Sequence, residues 1–172
     1  DRIDYLQRDA HYTGVAHGFI DAARLLATID RERGRLVFAA KGRSAIEGFL
    51  VGRALMYASV YYHKTVRAAE TMTQAAVERS DDFRSGANAW VRASDGELLT
   101  RLQDEGGLPG ELVRRLIERR LYKRIYSGPG PSDPEEAESL GRGPERRTLE
   151  DRWAERAGTP PGSVLIDPAA LL

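Results

Sequence analysis

At 172 residues, with 41% hydrophobic and 30% charged side chains, the chain has the balance of a folded domain rather than a disordered segment. Lysine plus arginine equals aspartate plus glutamate at 26 each, so the basic excess of a dedicated DNA binder is missing, though a local basic groove is still allowed. There are no cysteines, which excludes disulfides, zinc–thiolate centres and cysteine nucleophiles.

Taken in chain order, the pattern is mostly helical. Residues 1–12 read as the end of a helix that stops near Thr13-Gly14, with glycine supplying the left-handed turn. A second helix is expected from Phe19 to Asp30, then a turn at Arg31-Glu32-Arg33-Gly34 and an extended piece over Arg35–Ala39, ended by Lys41-Gly42. One long helix is expected from Ser44 to Ser80. Its stripe is Ile46, Phe49, Leu50, Arg53, Tyr57, Val60, Tyr61 and Lys64. Ser94-Asp95-Gly96-Glu97 has the form of a capping box for a helix through Leu102, and Pro109 suits the first turn of a helix over Gly110–Arg120. Leu121–Tyr126 reads as a strand, Ser127–Pro134 as a linker, Leu149–Ala157 as a helix and Ser163–Asp167 as a strand. The expected architecture is a helical core over 1–126, a linker over 127–134 and a small α+β appendage over 135–172. No apolar stretch reaches membrane-spanning length and no signal peptide is read, so a cytoplasmic location is expected.

Two groups of polar residues stand out. On a helix, Asp1, Tyr5, Arg8, Asp9 and Tyr12 share one face, and Ile3 and Leu6 mark another. The plain reading is a solvated face with a paired Arg8. Arg53 and Lys64 instead lie on an apolar stripe, where a cation costs several kcal/mol unless it is paired or reaches water. They are either a snorkelling pair at the rim of the core or part of a phosphate site, with Tyr57, Tyr61 and Tyr62 available to stack on a base or bond a sugar. The three histidines, His11, His17 and His63, show no metal-binding spacing. Neither a P-loop nor a G-x-S-x-G elbow occurs, and no self-contained catalytic constellation can be read.

The run Asp1-Arg2-Ile3-Asp4-Tyr5-Leu6-x-Arg8-Asp9, followed by Thr13-Gly14, resembles the D-R-x-D-Y-L-x-R-D-x-x-x-T-G segment of HD-superfamily dNTP triphosphohydrolases, which include the SAM and HD domain-containing enzymes. Met56-Tyr57-x-x-Val60-Tyr61-x-His63-Lys64-x-x-Arg67-Ala68 resembles that family's M-Y-x-x-V-Y-x-H-K-x-x-R-A helix. Arg119-x-Leu121-Tyr122-Lys123-Arg124 and Val164-Leu165-Ile166-Asp167 are weaker blocks in the same order.

The resemblance implies an HD-domain-like helical core holding a divalent metal (Mn, Mg, Fe, Ni or Zn) through a His, a His-Asp pair and a later Asp, which would be Asp1. It assigns Arg2 to the phosphates, Tyr5 and Asp9 to the deoxyribose, and Arg53 to the triphosphate. Tyr61 falls beside the sugar and Tyr62 near the base. Arg24, Lys41 and Lys64 fall near positions that contact a second, effector nucleotide in some members, although Ala45 stands where relatives place a polar contact. A homo-oligomer, dimer or tetramer, is expected.

The histidine ligands of the family are absent from the sequence, so the chain reads as the C-terminal part of such an enzyme, inactive by itself. The expected reaction of the intact protein is hydrolysis of a dNTP to deoxynucleoside and triphosphate. The alternatives are a phosphohydrolase of the same fold acting on another ester, a nucleotide-binding regulatory module without turnover, and a helical domain with no ligand.

Overall fold

The computed structural model describes residues 1–86 and 90–167. The chain divides into two compact units, Asp1–His63 and Lys64–Leu172. The mostly helical expectation holds.

In the first unit, α1 (Arg2–Thr13) buries Leu6 and Ala10, one turn apart on one face, and Gly14 closes it with φ 71° and an amide bond back to the Ala10 carbonyl. A 3-10 turn at Ala16–Gly18 follows, and Gly18 lies so close to the Ala10 side chain and the Leu6 carbonyl that no Cβ fits there. The second helix is shorter than expected. Asp21 caps α2 (Ala22–Thr28) by accepting from the Arg24 amide, and the chain then turns into a hairpin of β1 (Ile29–Glu32) and β2 (Arg35–Phe38). Their antiparallel register pairs Ile29 with Phe38 and Glu32 with Arg35. The two-residue turn has positive φ at Arg33 (50°) and Gly34 (80°), the twist that matches two paired strands. Helix α3 (Arg43–Met56) buries Ala45, Gly52 and Met56, and Met56 joins Leu6 and Ala10 in this unit's core, flanked by Tyr5, Val15, Phe49, Val60 and Tyr61.

The long helix over 44–80 is not continuous. After Met56 the backbone widens into a π turn, Tyr57–Tyr61, in which the Tyr62 amide reaches five residues back to the Tyr57 carbonyl at 2.8 Å. The His63 amide bonds only three back, to Val60 at 3.1 Å, and a separate helix, α4 (Lys64–Glu78), begins. The regular spacing of the stripe through Tyr57, Val60 and Tyr61 gives no sign of this interruption. Arg53 and Lys64 therefore belong to different helices and different units.

The second unit comprises α4, α5 (Asp81–Gly86), α6 (Asp95–Glu105), α7 (Gly107–Ile117), α8 (Pro134–Gly141) and α9 (Gly143–Arg156). Its core gathers Met72, Ala75 and Ala76 of α4, Trp90, Leu102 of α6, and Leu112 and Val113 of α7. The capping box forms as expected: the Ser94 hydroxyl accepts from the Glu97 amide, and the Glu97 carboxylate accepts from the Ser94 amide at 2.7 Å. Pro109 lies in the first turn of α7, two residues in from its start. The two expected strands, 121–126 and 163–167, have no strand partner among the described residues. Leu121, Tyr122 and Leu165 instead pack on the helical core, and the Tyr122 hydroxyl donates to the Gly162 carbonyl at 3.0 Å. Apolar alternation marks a segment that buries one side, and a helix surface satisfies that as well as a sheet does. The only sheet among the described residues is the hairpin. The expected linker contains the start of α8, where Asp133 caps and Pro134 opens the helix.

Helix α9 carries a buried ionic network. The Arg146 guanidinium binds both carboxylate oxygens of Glu78 at 2.6 and 2.7 Å. Arg79 of the segment after α4 reaches Glu150 at 3.0 Å and Asp151 at 2.9 and 3.1 Å. Burial pushes the Glu150 carboxyl above its ordinary value, against the Ile166 amide and the Arg79 and Arg146 charges, which pull it down. Among the described residues no helix is long and apolar enough to cross a membrane.

Candidate functional site

Within the first unit, α1, α3 and the π turn bring four of the sequence-nominated residues together. Tyr5 and Asp9 are one turn apart on α1, both half-buried, on the edge of the face that packs Leu6 and Ala10 inward. Across from them, the Tyr61 hydroxyl donates to Asp9 Oδ2 at 2.6 Å, joining residues 52 apart in sequence. The Tyr5 and Tyr61 rings meet edge-on with centroids 6.1 Å apart. Burial, then the hydrogen bond to Asp9 and the Asp9 charge, push the Tyr61 phenol above its ordinary pKa. It therefore stays protonated and acts as a donor. The second Asp9 oxygen, Oδ1, lies 3.7 Å from Arg8 Nε, while Arg8 binds Asp4 at 2.7 Å.

Arg53, half-buried on α3, completes the group. Its guanidinium carbon lies 4.6 Å from the Tyr57 ring centroid, and Nη2 donates to the Tyr57 hydroxyl at a long 3.4 Å. Its pKa is raised, first by hydrogen bonding to Tyr5, against burial, with Tyr57 adding to the rise. Arg53 Nε is buried and has no hydrogen-bond partner among the described residues. Arg79 Nε, within the ionic network of the second unit, is unpaired in the same way, so what distinguishes Arg53 is a half-buried guanidinium with an aromatic wall and, among the described residues, no carboxylate bound to it.

The remaining nominated residues fall elsewhere. Asp1 caps the start of α1 and is exposed, one turn before Tyr5, and Arg2 is exposed in the first turn. Tyr62, 45% exposed, follows the π turn and touches Tyr57. Of the presumed solvated face, Arg8 is exposed and paired and Tyr12 is 82% exposed, whereas Tyr5 and Asp9 turn inward. Arg24 and Lys41 are neighbours, with the Arg24 guanidinium donating to the Lys41 carbonyl at 3.1 Å, and Lys64 opens α4 in the second unit. Tyr57, offered by its spacing as an aromatic beside Arg53, was given no role by the family resemblance. Its position, four residues after Arg53 and four before Tyr61, was the available signal.

A divalent metal needs several donors. Among the described residues no group of three His, Asp or Glu side chains stands together, so these residues do not compose a metal centre and no step is derived through one.

A helical unit that presents, among the described residues, a carboxylate, a guanidinium free of any carboxylate and an aromatic wall is the class of protein defined so far. Residues 20–171 match the family described as the HD associated region, and the chain belongs to that family. It is similar to the uncharacterized protein MJ1154 of Methanocaldococcus jannaschii, with 38% identity over 136 residues, 74% of this chain and 29% of that protein. The uncharacterized protein YwfO of Bacillus subtilis is 28% identical over 153 residues, 75% of this chain and 35% of that protein. The fold is shared with the crystal structure of a phosphohydrolase, BT4208, from Bacteroides thetaiotaomicron. The TM-score is 0.62 at 23% identity, covering 94% of this chain and 46% of the other. The chain thus spans about a third of these curated relatives and under half of the solved structure.

Proposed function

We propose that the chain is the nucleotide-binding part of an HD-type phosphohydrolase that converts a dNTP and water into a deoxynucleoside and triphosphate. The observation that carries this reading is the Tyr61–Asp9 hydrogen bond beside Arg53, whose buried Nε lacks a partner. A guanidinium held cationic and short of one acceptor suits a phosphate oxygen. Asp9 spends one carboxylate oxygen on Tyr61 and keeps Oδ1 to accept from a sugar hydroxyl, the role that the family resemblance assigns it. Tyr5 and Tyr61 would line the deoxyribose, Tyr62 would lie toward the base, and Arg2 would add charge at the phosphates. Arg53 would stabilise the negative charge on the phosphate oxygens as water attacks the α-phosphorus and the bond to the deoxynucleoside 5′-oxygen breaks, that oxygen leaving with a proton as the nucleoside hydroxyl.

In this reading Asp1 contributes one carboxylate to a divalent metal, and the other donors come from outside the described residues. Arg24 and Lys41 of the first unit, and separately Lys64 of the second, are each proposed to contact an effector nucleotide, and the working protein to be a cytoplasmic homo-oligomer.

The test is release of inorganic triphosphate from dGTP by the full-length protein with Mn²⁺ or Mg²⁺. Release that falls at least about a hundredfold on Arg53→Ala supports the reading, the scale seen when a charge-stabilising donor is removed. Release of phosphate from simple phosphate monoesters but not of triphosphate from dNTPs would overturn the dNTP assignment. The lack of a metal-binding group among the described residues favours a second reading, nucleotide binding without turnover. Tight dGTP binding with no product of any kind would establish it.

A further inference from the structure

We infer that Tyr57 is the positioning residue of Arg53, and that the π turn supplies the geometry that lets its ring do so. The inference rests on the phosphate-binding reading of Arg53 and deepens it. The guanidinium carbon lies 4.6 Å from the Tyr57 ring centroid, whereas the contact to the Tyr57 hydroxyl is a stretched 3.4 Å. The ring face, more than the hydroxyl, therefore holds the cation.

The ring is itself held. Tyr61 meets it edge-on at 5.0 Å, and Tyr62 lies tilted against it at 5.6 Å. In a regular α-helix, residues five apart diverge around the axis. The π turn inserts a residue, bonds the Tyr62 amide to the Tyr57 carbonyl at 2.8 Å, and brings these two side chains onto one side. Tyr57 consequently meets Arg53 and two tyrosines at once. One of those, Tyr61, is anchored to Asp9 at 2.6 Å.

This connected series, Arg53 to Tyr57 to Tyr61 to Asp9, ties the cation to the carboxylate through aromatic contacts. An arginine stem has four rotatable torsions, and aiming it costs rotamer entropy at the moment of binding. Resting on a fixed ring, the Arg53 fork is aimed beforehand. Loss of the ring would leave the charge in place and the aim undone.

The experiment measures binding of two probes to the full-length protein by calorimetry: α-thio dGTP, which carries phosphates and resists hydrolysis, and deoxyguanosine, which carries none. For Tyr57→Leu the expected result is about tenfold weaker binding of α-thio dGTP and unchanged binding of deoxyguanosine, the scale of a desolvated cation–π contact. Tyr57→Phe keeps the ring and should bind both probes within about twofold of the wild type. If Tyr57→Leu fails to fold, pentafluorophenylalanine in place of Tyr57 keeps the shape but reverses the charge of the ring face, and should give the same selective loss. Equal loss of both probes would make the ring merely structural and overturn the inference. So would a Tyr57→Phe variant as weak as Tyr57→Leu, or no loss of α-thio dGTP in Tyr57→Leu while Arg53→Ala loses it. If Arg53→Ala binds α-thio dGTP as tightly as the wild type, the phosphate reading itself fails and takes the inference with it.

Discussion

Replacing Arg146 by methionine tests the buried network of the second unit. The side chain of Arg146 is 4% exposed, and that of Glu78 is 21%. The guanidinium bonds both Glu78 oxygens, donates to the Leu140 carbonyl at 3.2 Å, and stands 3.7 Å from Glu150. Arg146→Met keeps an apolar stem and removes the charge. Breaking a buried pair in this way costs roughly 3–5 kcal/mol, because the partner is left charged and desolvated. Here the abandoned carboxylates are not alone. Gln74 still donates to Glu78 at 2.8 Å and Arg147 lies 3.6 Å away, while Arg79 and the Ile166 amide hold Glu150 at 3.0 and 2.9 Å. The expectation is therefore a loss of about 2–4 kcal/mol. Both tryptophans, Trp90 and Trp153, lie in this unit, so urea unfolding followed by tryptophan fluorescence reads the effect directly.

The effect also has a pH signature. Burial pushes the Glu78 carboxyl up, but the bonds from Arg146 and Gln74 and the charges of Arg146 and Arg147 outweigh it and leave its pKa below the ordinary value. A lowered folded-state pKa adds stability that is fully present above the unfolded value, about 4.3 for glutamate, and that is lost as pH falls through the lowered one. The gap between wild type and Arg146→Met should be widest near neutrality and should narrow below about pH 4. An unfolding midpoint unmoved at pH 7, or a gap that stays constant down to pH 3, would refute the reasoning.

Two further outcomes are expected in the first unit. Tyr61→Phe should lose about 1–2 kcal/mol, the range for a hydrogen bond to a carboxylate that water partly replaces. The raised pKa of the Tyr61 phenol makes its contribution fully present below the unfolded value of about 10 and lost as pH climbs through the folded one. Of the seven tyrosines, the one that ionises last in an absorbance titration should vanish in this variant. Gly18→Ala puts a methyl group against the Ala10 side chain and the Leu6 carbonyl, and should destabilise by about 1–3 kcal/mol in chemical denaturation. A Gly18→Ala protein as stable as the wild type would show that this crossing is looser than described.

Much of the local architecture was legible from residue chemistry. The Gly14 stop and the Ser94–Glu97 capping box depend on neighbours within four residues and formed as expected, whereas of the expected Arg31–Gly34 turn only Arg33-Gly34 turns, Arg31 and Glu32 being paired in β1. The family resemblance gathered Tyr5, Asp9, Arg53 and Tyr61, which the first unit brings together. The residue that supports Arg53 was visible on the apolar stripe and as an aromatic beside the cation, but its contact with Arg53 was not. The π turn escaped notice because nothing in residue type marks it, yet the inserted residue turns the following side chains about the axis and decides which of them meet.

What the sequence by itself determined is the local set: the Gly14 stop, the Ser94–Glu97 helix start, a turn at Arg33-Gly34, and the types of side chain available for binding. Tertiary structure alone decided which polar groups are buried and what they meet. Tyr61 finds Asp9 across 52 residues, and Arg146 finds Glu78 across 68. The segments 121–126 and 163–167 had strand-like composition, but a strand needs a partner and a helical core took their apolar side chains instead. The physical reason is common to all of these. Helix signals are carried by bonds within one turn, whereas burial, strand pairing and charge compensation depend on groups that only the folded chain brings together.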